Sequence, residues 1–284
     1  MRQFKITKSL LKSLALAGLL TACNDDNIGN PTENAGVTVN DQNAKISPLT
    51  RLTNDNGRSI QYVKSGKFFG KVSRVNEAPW SSYYLTYAYD DSNPGELWIT
   101  RKMYKSSTNA FIKENRYKVI NGLCTLVEDD FGSLHEYNYT PAGYLNEVKY
   151  SNNGKLLESW EYSYNFIASA QTYRLNKIDR KQNGQPWISY HFTYNQNQDK
   201  YPLNNPLNTE DGKVDKYLPF FGKVSDLLIE SITEEDLLKN KSVQTFYTGH
   251  TLDSDGLVTS REMVKYSTVH KETFKYSSTT WQGI

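Results

Sequence analysis

The chain predicts an all-β fold, a curved antiparallel sheet of tandem β-hairpin repeats that lies open, wraps or closes like a barrel. Three observations predict it. Apolar and polar residues alternate with period two over long stretches. Asn-Gly and Asp-Gly pairs punctuate those stretches. Whole segments then recur along the chain.

The alternation is aromatic. Tyr83, Leu85, Tyr87 and Tyr89 share one parity, as do Trp160, Tyr162 and Tyr164, and again Ile188, Tyr190, Phe192 and Tyr194. In a strand each set falls on one face, leaving the other polar, as in a half-buried antiparallel sheet. The chain holds 21 Tyr, 11 Phe and 5 Trp against a mean hydropathy of −0.68. Its core must therefore rest on rings with polar tips more than on aliphatic side chains. Asn56-Gly57, Asn121-Gly122, Asn153-Gly154, Asn183-Gly184, Asp211-Gly212 and Asp255-Gly256 suit the positive φ angles of tight hairpin turns.

Two repeats organise these strands. Phe68-Phe69-Gly70-Lys71-Val72-Ser73 recurs letter for letter at 220–225. Each copy is followed by an aromatic alternating run, a turn glycine and a Thr/Ser-Arg-x-Met segment that ends at Met103 or Met263. A shorter unit repeats with an offset of 30: Leu145, Asn153-Gly154, Trp160, Tyr162 and Tyr164 align with Leu175, Asn183-Gly184, Tyr190, Phe192 and Tyr194. One hairpin cannot bury its face alone, so the units must pair in series. Residues 225–239 offer helix-start signals at Ser225 and Thr233. Their repeat partner is a strand, so a strand is predicted with a turn near Glu234, Glu235 and Asp236.

Residues 1–22 combine a basic start (Arg2, Lys5, Lys8, Lys12), a short apolar run from Leu14 to Leu20, and Thr21-Ala22 before Cys23. The run is too short for a membrane-spanning helix, which needs about 20 apolar residues. The arrangement resembles a bacterial lipoprotein signal ending in a lipobox. The resemblance implies export, cleavage before Cys23 and a lipid on the Cys23 sulfur, so the membrane is one partner. Asn24 where an aspartate would retain the protein at the inner membrane implies an outer-membrane destination, on its periplasmic face or at the cell surface. Residues 23–48, rich in Asn, Asp, Gly and Thr, read as a flexible tether. The β-repeat domain takes 49–284.

Without residues 1–22 the chain loses four basic and no acidic residues, leaving 29 Lys and Arg against 31 Asp and Glu. A near-neutral chain with interspersed signs excludes a nucleic-acid partner, which wants a clustered basic face. With Cys23 acylated, Cys124 stands alone in an apolar run and reads as a buried small side chain. Residues 195–219 break the repeat pattern with Pro202, Pro206 and Pro219; this loop is expected to be dispensable for folding.

The units at 137–148 (Tyr137-Asn-Tyr139-x-x-Ala-Gly143-Tyr-Leu-Asn-Glu-Val148) and 252–259 (Leu252-Asp-Ser-Asp-Gly256-Leu-Val-Thr) resemble tyrosine–aspartate, Rhs-type repeats. With the lipobox and the Phe-Phe-Gly-Lys-Val-Ser segment, the chain is similar to envelope lipoproteins of unknown function described as having a porin-like fold. That resemblance covers roughly 60–280, implies a curved antiparallel sheet and supplies no catalytic residues.

No catalytic motif, cofactor or metal spacing is predicted. His135, His191, His250 and His270 share no ligand spacing. Asp253-Ser-Asp255-Gly256 lacks the ligands of a full calcium loop. The reading is a non-enzymatic binding or envelope-structural protein, with an envelope protein or glycan as further partner. Trp80, Trp98, Trp160 and Trp187 are the candidate ligand-binding aromatics, set against core packing of the same rings. A polysaccharide hydrolase using the acidic runs at 128–130 and 234–236 is the enzymatic alternative.

Overall fold

The computed structural model describes residues 51–77, 82–169, 171–201, 214–223 and 225–277. The signal, the tether, Cys23 and Trp80 lie outside the described residues, as does the Asp211-Gly212 turn. Sixteen strands run in order. They are β1 (Arg51–Asp55), β2 (Arg58–Tyr62), β3 (Val72–Asn76), β4 (Tyr83–Asp90), β5 (Glu96–Lys105), β6 (Phe111–Ile120), β7 (Leu123–Asp129) and β8 (Ser133–Tyr139). There follow β9 (Leu145–Asn152), β10 (Lys155–Ile167), β11 (Thr172–Gln182), β12 (Gln185–Gln198), β13 (Leu227–Asp236), β14 (Lys241–Leu252), β15 (Val258–Lys265) and β16 (Thr268–Ser277). Each pairs antiparallel with its sequence neighbours, and β1 pairs with β16. The sheet therefore closes into a barrel, which leaves no strand edge unpaired. The strand expected within 225–239 is β13, but it runs on through Glu234, Glu235 and Asp236, where a turn was expected, and the turn falls at 237–240.

Four Asn-Gly turns close two-residue hairpins with both residues at positive φ, from 48° and 86° at Asn56-Gly57 to 51° and 78° at Asn183-Gly184. Three of the four lie at the end of the barrel where odd strands pass to even ones; we call this the turn end. The opposite, loop end is where even strands pass to odd ones.

The direction of the side chains decides what kind of barrel this is. In β10 Trp160 and Tyr162 are buried while Glu161 and Ser163 are exposed; in β8 Ser133, His135 and Tyr137 are buried while Glu136 and Asn138 are exposed. A single closed sheet buries only its inner face. The core is thus the lumen, lined by residues such as Val75, Ile99, Tyr117, Val148, Trp160, Leu175 and Ile178. The outer wall carries cross-strand ion pairs, among them Lys102–Glu114 at 3.3 Å, Arg116–Glu128 at 2.8 Å, Lys118–Glu96 at 2.5 Å and Lys181–Glu161 at 2.5 Å. A membrane-spanning barrel has the reverse arrangement, with an apolar band outside and polar residues within. A lysine or arginine facing lipid at the bilayer midplane costs roughly 2–4 kcal/mol. A wall bearing several of them belongs in water.

One repeated bond closes the loop end. The hydroxyls of Tyr62, Tyr89, Tyr139, Tyr164, Tyr194 and Tyr276, on even strands, donate to the carbonyls of Leu52, Val72, Cys124, Leu145, Leu175 and Val258 on the strand before, at 2.6–2.9 Å. Each pins the open ends of a hairpin whose turn is at the other end of the barrel. The 30-residue repeat is visible here as chemistry: Tyr164 to Leu145 becomes Tyr194 to Leu175.

Candidate functional site: the plugged lumen

The segment 214–223 enters the lumen from the loop end. It falls between β12 and β13 in the sequence but bonds to the opposite half of the ring. The Cys124 N–H donates to the Phe220 carbonyl at 2.7 Å, and the Lys223 N–H to the Gly143 carbonyl at 3.0 Å. Phe221 packs against Tyr137 and edge-on against Tyr117, with ring centroids 5.2 and 6.3 Å apart. Leu218 and Phe221 belong to the core. The expectation that the 195–219 loop is dispensable is therefore corrected. Residues 195–198 complete β12, and 214–219 fill the barrel. Three prolines and a run of polar residues concealed a segment that sends Val214, Tyr217 and Leu218 into the core.

Asp215 anchors the plug and is buried. Its Oδ2 accepts from the Tyr87 hydroxyl at 3.0 Å, from Arg101 Nη1 at 3.0 Å and from the Tyr117 hydroxyl at 3.4 Å. Its Oδ1 takes the Tyr217 N–H at 3.0 Å. Arg101 uses its other nitrogen on Asn115 Oδ1 at 2.7 Å. Burial works against the Arg101 charge, yet Tyr117, Asp215 and Tyr87 outweigh it and raise its hold on its proton. Burial, followed by the Asp215 charge, pushes the Tyr87 phenol well above its usual range. The Tyr117 phenol is pushed up likewise, chiefly by burial. Both stay neutral donors. Further on, the Tyr217 hydroxyl donates to Asp55 Oδ2 at 2.7 Å, and Lys216 pairs with the same carboxylate. Asp55 is the last residue of β1, at the turn end, so the plug runs the height of the lumen on that side.

Arg101 belongs to the Thr-Arg-x-Met segment of the long repeat. Its counterpart Arg261 is also buried and pairs with Glu272 at 2.5 Å. A third inward pair, Arg180 with Glu158 at 2.8 Å, sits among indole rings. The Arg180 guanidinium lies 4.4 Å from the Trp187 ring and 5.4 Å from that of Trp160. The repeat was legible in the sequence. That its arginines face an apolar lumen was not, because their acidic partners come from a loop or a neighbouring strand.

The three candidate tryptophans among the described residues are not brought to one surface. Trp160 is buried in the lumen at 1% exposure, and Trp187 packs partly buried against the core. Trp98 lies on the outer wall between Arg116 and Lys118, its indole N–H donating to Glu96 at 3.2 Å. Trp80 is outside the described residues. The Trp160 indole N–H and the Tyr162 hydroxyl, on one face of β10, have no partner among the described residues.

The acidic runs are engaged elsewhere. Glu128 pairs with Arg116, and Asp129 Oδ1 accepts the N–H groups of Phe131 and Ser133 at 2.9 Å, which holds a turn. Glu234, Glu235 and Asp236 reach Lys265, His191 and Lys239. Asp253 Oδ1 takes the N–H groups of Asp255 and Leu257, so this sequence makes a hairpin turn. Burial pushes the Cys124 thiol up and keeps it protonated. Among the described residues, no group of three or more His, Cys, Asp or Glu is placed to hold a metal ion. The arrangement can bury a plug, hold four inward ion pairs and offer neutral hydrogen-bond donors.

No family model matches the chain, and no curated protein does. Several solved structures are similar to it in arrangement. A porin-like protein from Bacteroides uniformis ATCC 8492 matches over 80% of this chain and 97% of its own, at 16% identity and a TM-score of 0.41. A porin-like protein from Bacteroides vulgatus ATCC 8482 matches over 78% and 94%, at 13% identity and a TM-score of 0.44. A structure of TcdB2-TccC3-TEV matches over 78% of this chain and 13% of its own, at 10% identity and a TM-score of 0.27.

Proposed function

We propose that this chain is an envelope lipoprotein whose plugged barrel serves a non-enzymatic binding or structural role at the outer membrane. The observation that carries the reading is the direction of the wall. Ion pairs cover the outside and tyrosines, tryptophans and aliphatic side chains fill the inside, so the barrel itself stays out of lipid. A protein with such a barrel needs a separate anchor to be held at a membrane, and acylated Cys23 is the anchor in this reading. The plug argues against a conducting role, since Asp215, Leu218 and Phe221 occupy the lumen. The buried phenols and the protonated Cys124 thiol suit packing and recognition better than bond-breaking chemistry.

The test is fractionation of the native host's envelope. The full chain should pellet with outer membranes through an alkaline wash and carry fatty acid on Cys23, while Cys23→Ala should appear in the soluble fraction. Equal retention of both forms would overturn the anchored reading. Protease added to whole cells then separates a surface orientation, which predicts degradation, from a periplasmic one, which predicts protection.

A further inference from the structure

We infer that the turn end of the barrel is a lipid-docking surface that rests on the headgroup region of an anionic bilayer. The inference rests on the membrane-anchored reading and adds an orientation to it. Eight hairpins turn at this end. Six of them carry a large apolar side chain exposed at or next to the turn: Tyr83, Phe111, Phe131, Leu156, Leu238 and Tyr266. Leu238 is 74% exposed, Tyr266 73% and Phe131 68%, which are high values for residues that the fold does not need there.

Single exposed apolar residues are ordinary. Six distributed round one end are not, because their spacing answers to a surface and not to a pocket. A sixteen-strand ring is roughly 30 Å across. A flat, yielding apolar layer meets every turn of such a ring together. A protein partner of that breadth would favour a contiguous patch instead.

The charges at this end fit the same occupant. Lys105, Lys155 and Lys241 stand exposed beside the apolar tips, with no ion pair among the described residues, against one exposed acid in the same state, Asp130. Such lysines extend their ammonium groups to lipid phosphates while their stems lie along the apolar layer. Among the described residues the loop end exposes fewer and less protruding apolar side chains, Phe69, Phe166, Tyr173 and Leu252 at no more than 50%, and it is closed by the tyrosine bonds. The stretch from Cys23 to β1 spans on the order of 90 Å when extended. A lipid anchor therefore permits the turn end to face the bilayer although β1 begins at the other end.

The experiment uses the acylated full chain in vesicles of phosphatidylethanolamine and phosphatidylglycerol, with phosphatidylcholine vesicles for comparison. Leu238→Cys and Tyr266→Cys place an environment-sensitive fluorophore on two turns, and Leu252→Cys places it at the loop end. All three positions are exposed, so folding is not at stake, and the buried Cys124 thiol escapes labelling. Docking predicts blue-shifted emission and quenching by spin-labelled lipid at 238 and 266 but not at 252, weakened about tenfold in phosphatidylcholine. Chains that float with the vesicles while all three labels report water overturn docking and leave the anchor standing. Chains that do not float overturn both. A shift that follows protein concentration instead of lipid assigns the tips to a second copy of the chain and also overturns docking.

Discussion

The Tyr164 hydroxyl donates to the Leu145 carbonyl at 2.7 Å, across the open end of the β9–β10 hairpin. Thirty residues on, Tyr194 makes the same bond to Leu175 at 2.6 Å. Leu145 and Leu175 lie just beyond the last ladder pairs with the following strand, at Glu147 and Lys177, and the phenol takes up the carbonyl there. Tyr164→Phe keeps the ring and removes the bond. It should lower stability by about 1–2 kcal/mol, the value of a hydrogen bond plus an unsatisfied acceptor. Tyr194→Phe should cost about the same, and the two should couple, since Leu175, the acceptor of one bond, pairs directly with Tyr164, the donor of the other. Urea unfolding followed by circular dichroism measures this. Unchanged midpoints would mean that water satisfies those carbonyls equally well.

The lumen plug depends on the pair between Asp215 and Arg101. Asp215→Ala strands a buried guanidinium and leaves two phenols without their acceptor. A loss of roughly 3–5 kcal/mol follows. Replacing both partners by apolar residues, Asp215→Leu with Arg101→Met, removes the stranded charge and should recover most of the loss. Unfolding midpoints of the two single variants and the double variant decide the matter. A double variant no better than Asp215→Ala would show that shape or the phenol bonds, and not charge, hold the segment in place.

Much of this architecture was written in the local sequence. The parity of Trp160, Tyr162 and Tyr164 placed their strand and its buried face, and Asn-Gly pairs placed four turns. The 30-residue offset announced a repeated hairpin. Closure was not legible, because β1 meets β16 across the whole chain and neither strand bears a mark naming the other. Nor was the direction of curvature: alternation separates two faces without saying which is inside. The site was legible least of all. Arg101 was visible only as part of a repeat, and its partner Asp215 lies in the stretch where repetition stops.

The buried phenols make the barrel sensitive to alkali. Tyr87, Tyr117, Tyr137 and Tyr162 are all pushed far above their usual range, first of all by burial. An unfolded tyrosine ionises near pH 10. Below that value folded and unfolded chains bind the same phenolic protons, and the contribution of these groups to stability is fully present. As pH rises past about 10, only the unfolded chain releases them, so stability falls steadily towards the folded values. Phenolate absorbance should therefore rise in two stages. The first stage belongs to phenols in water, and the lumen tyrosines follow in one cooperative step that coincides with loss of strand signal. A smooth single titration with the strand signal intact would show that water reaches the lumen rings.

Gly222 sits where the plug turns back to β13, at φ 77°. A Cβ there would meet the Gly143 carbonyl oxygen at 2.7 Å and the Tyr139 ring at 2.9 Å. Backbone cannot step aside as a flexible side chain does, and Tyr139 is itself tied to the Cys124 carbonyl. Gly66 has φ 81° in the β2–β3 loop, with nothing within 4 Å of its Cβ position. The pair separates strain from collision. Gly66→Ala should cost only the left-handed backbone, about 1–2 kcal/mol. Gly222→Ala carries the same strain plus displacement of the plug, and should lose about 3 kcal/mol or more. Thermal unfolding of both variants checks the difference. Equal costs would mean that the plug shifts without resistance, and the tight seat of Gly222 between Gly143 and Tyr139 would then have no part in holding it.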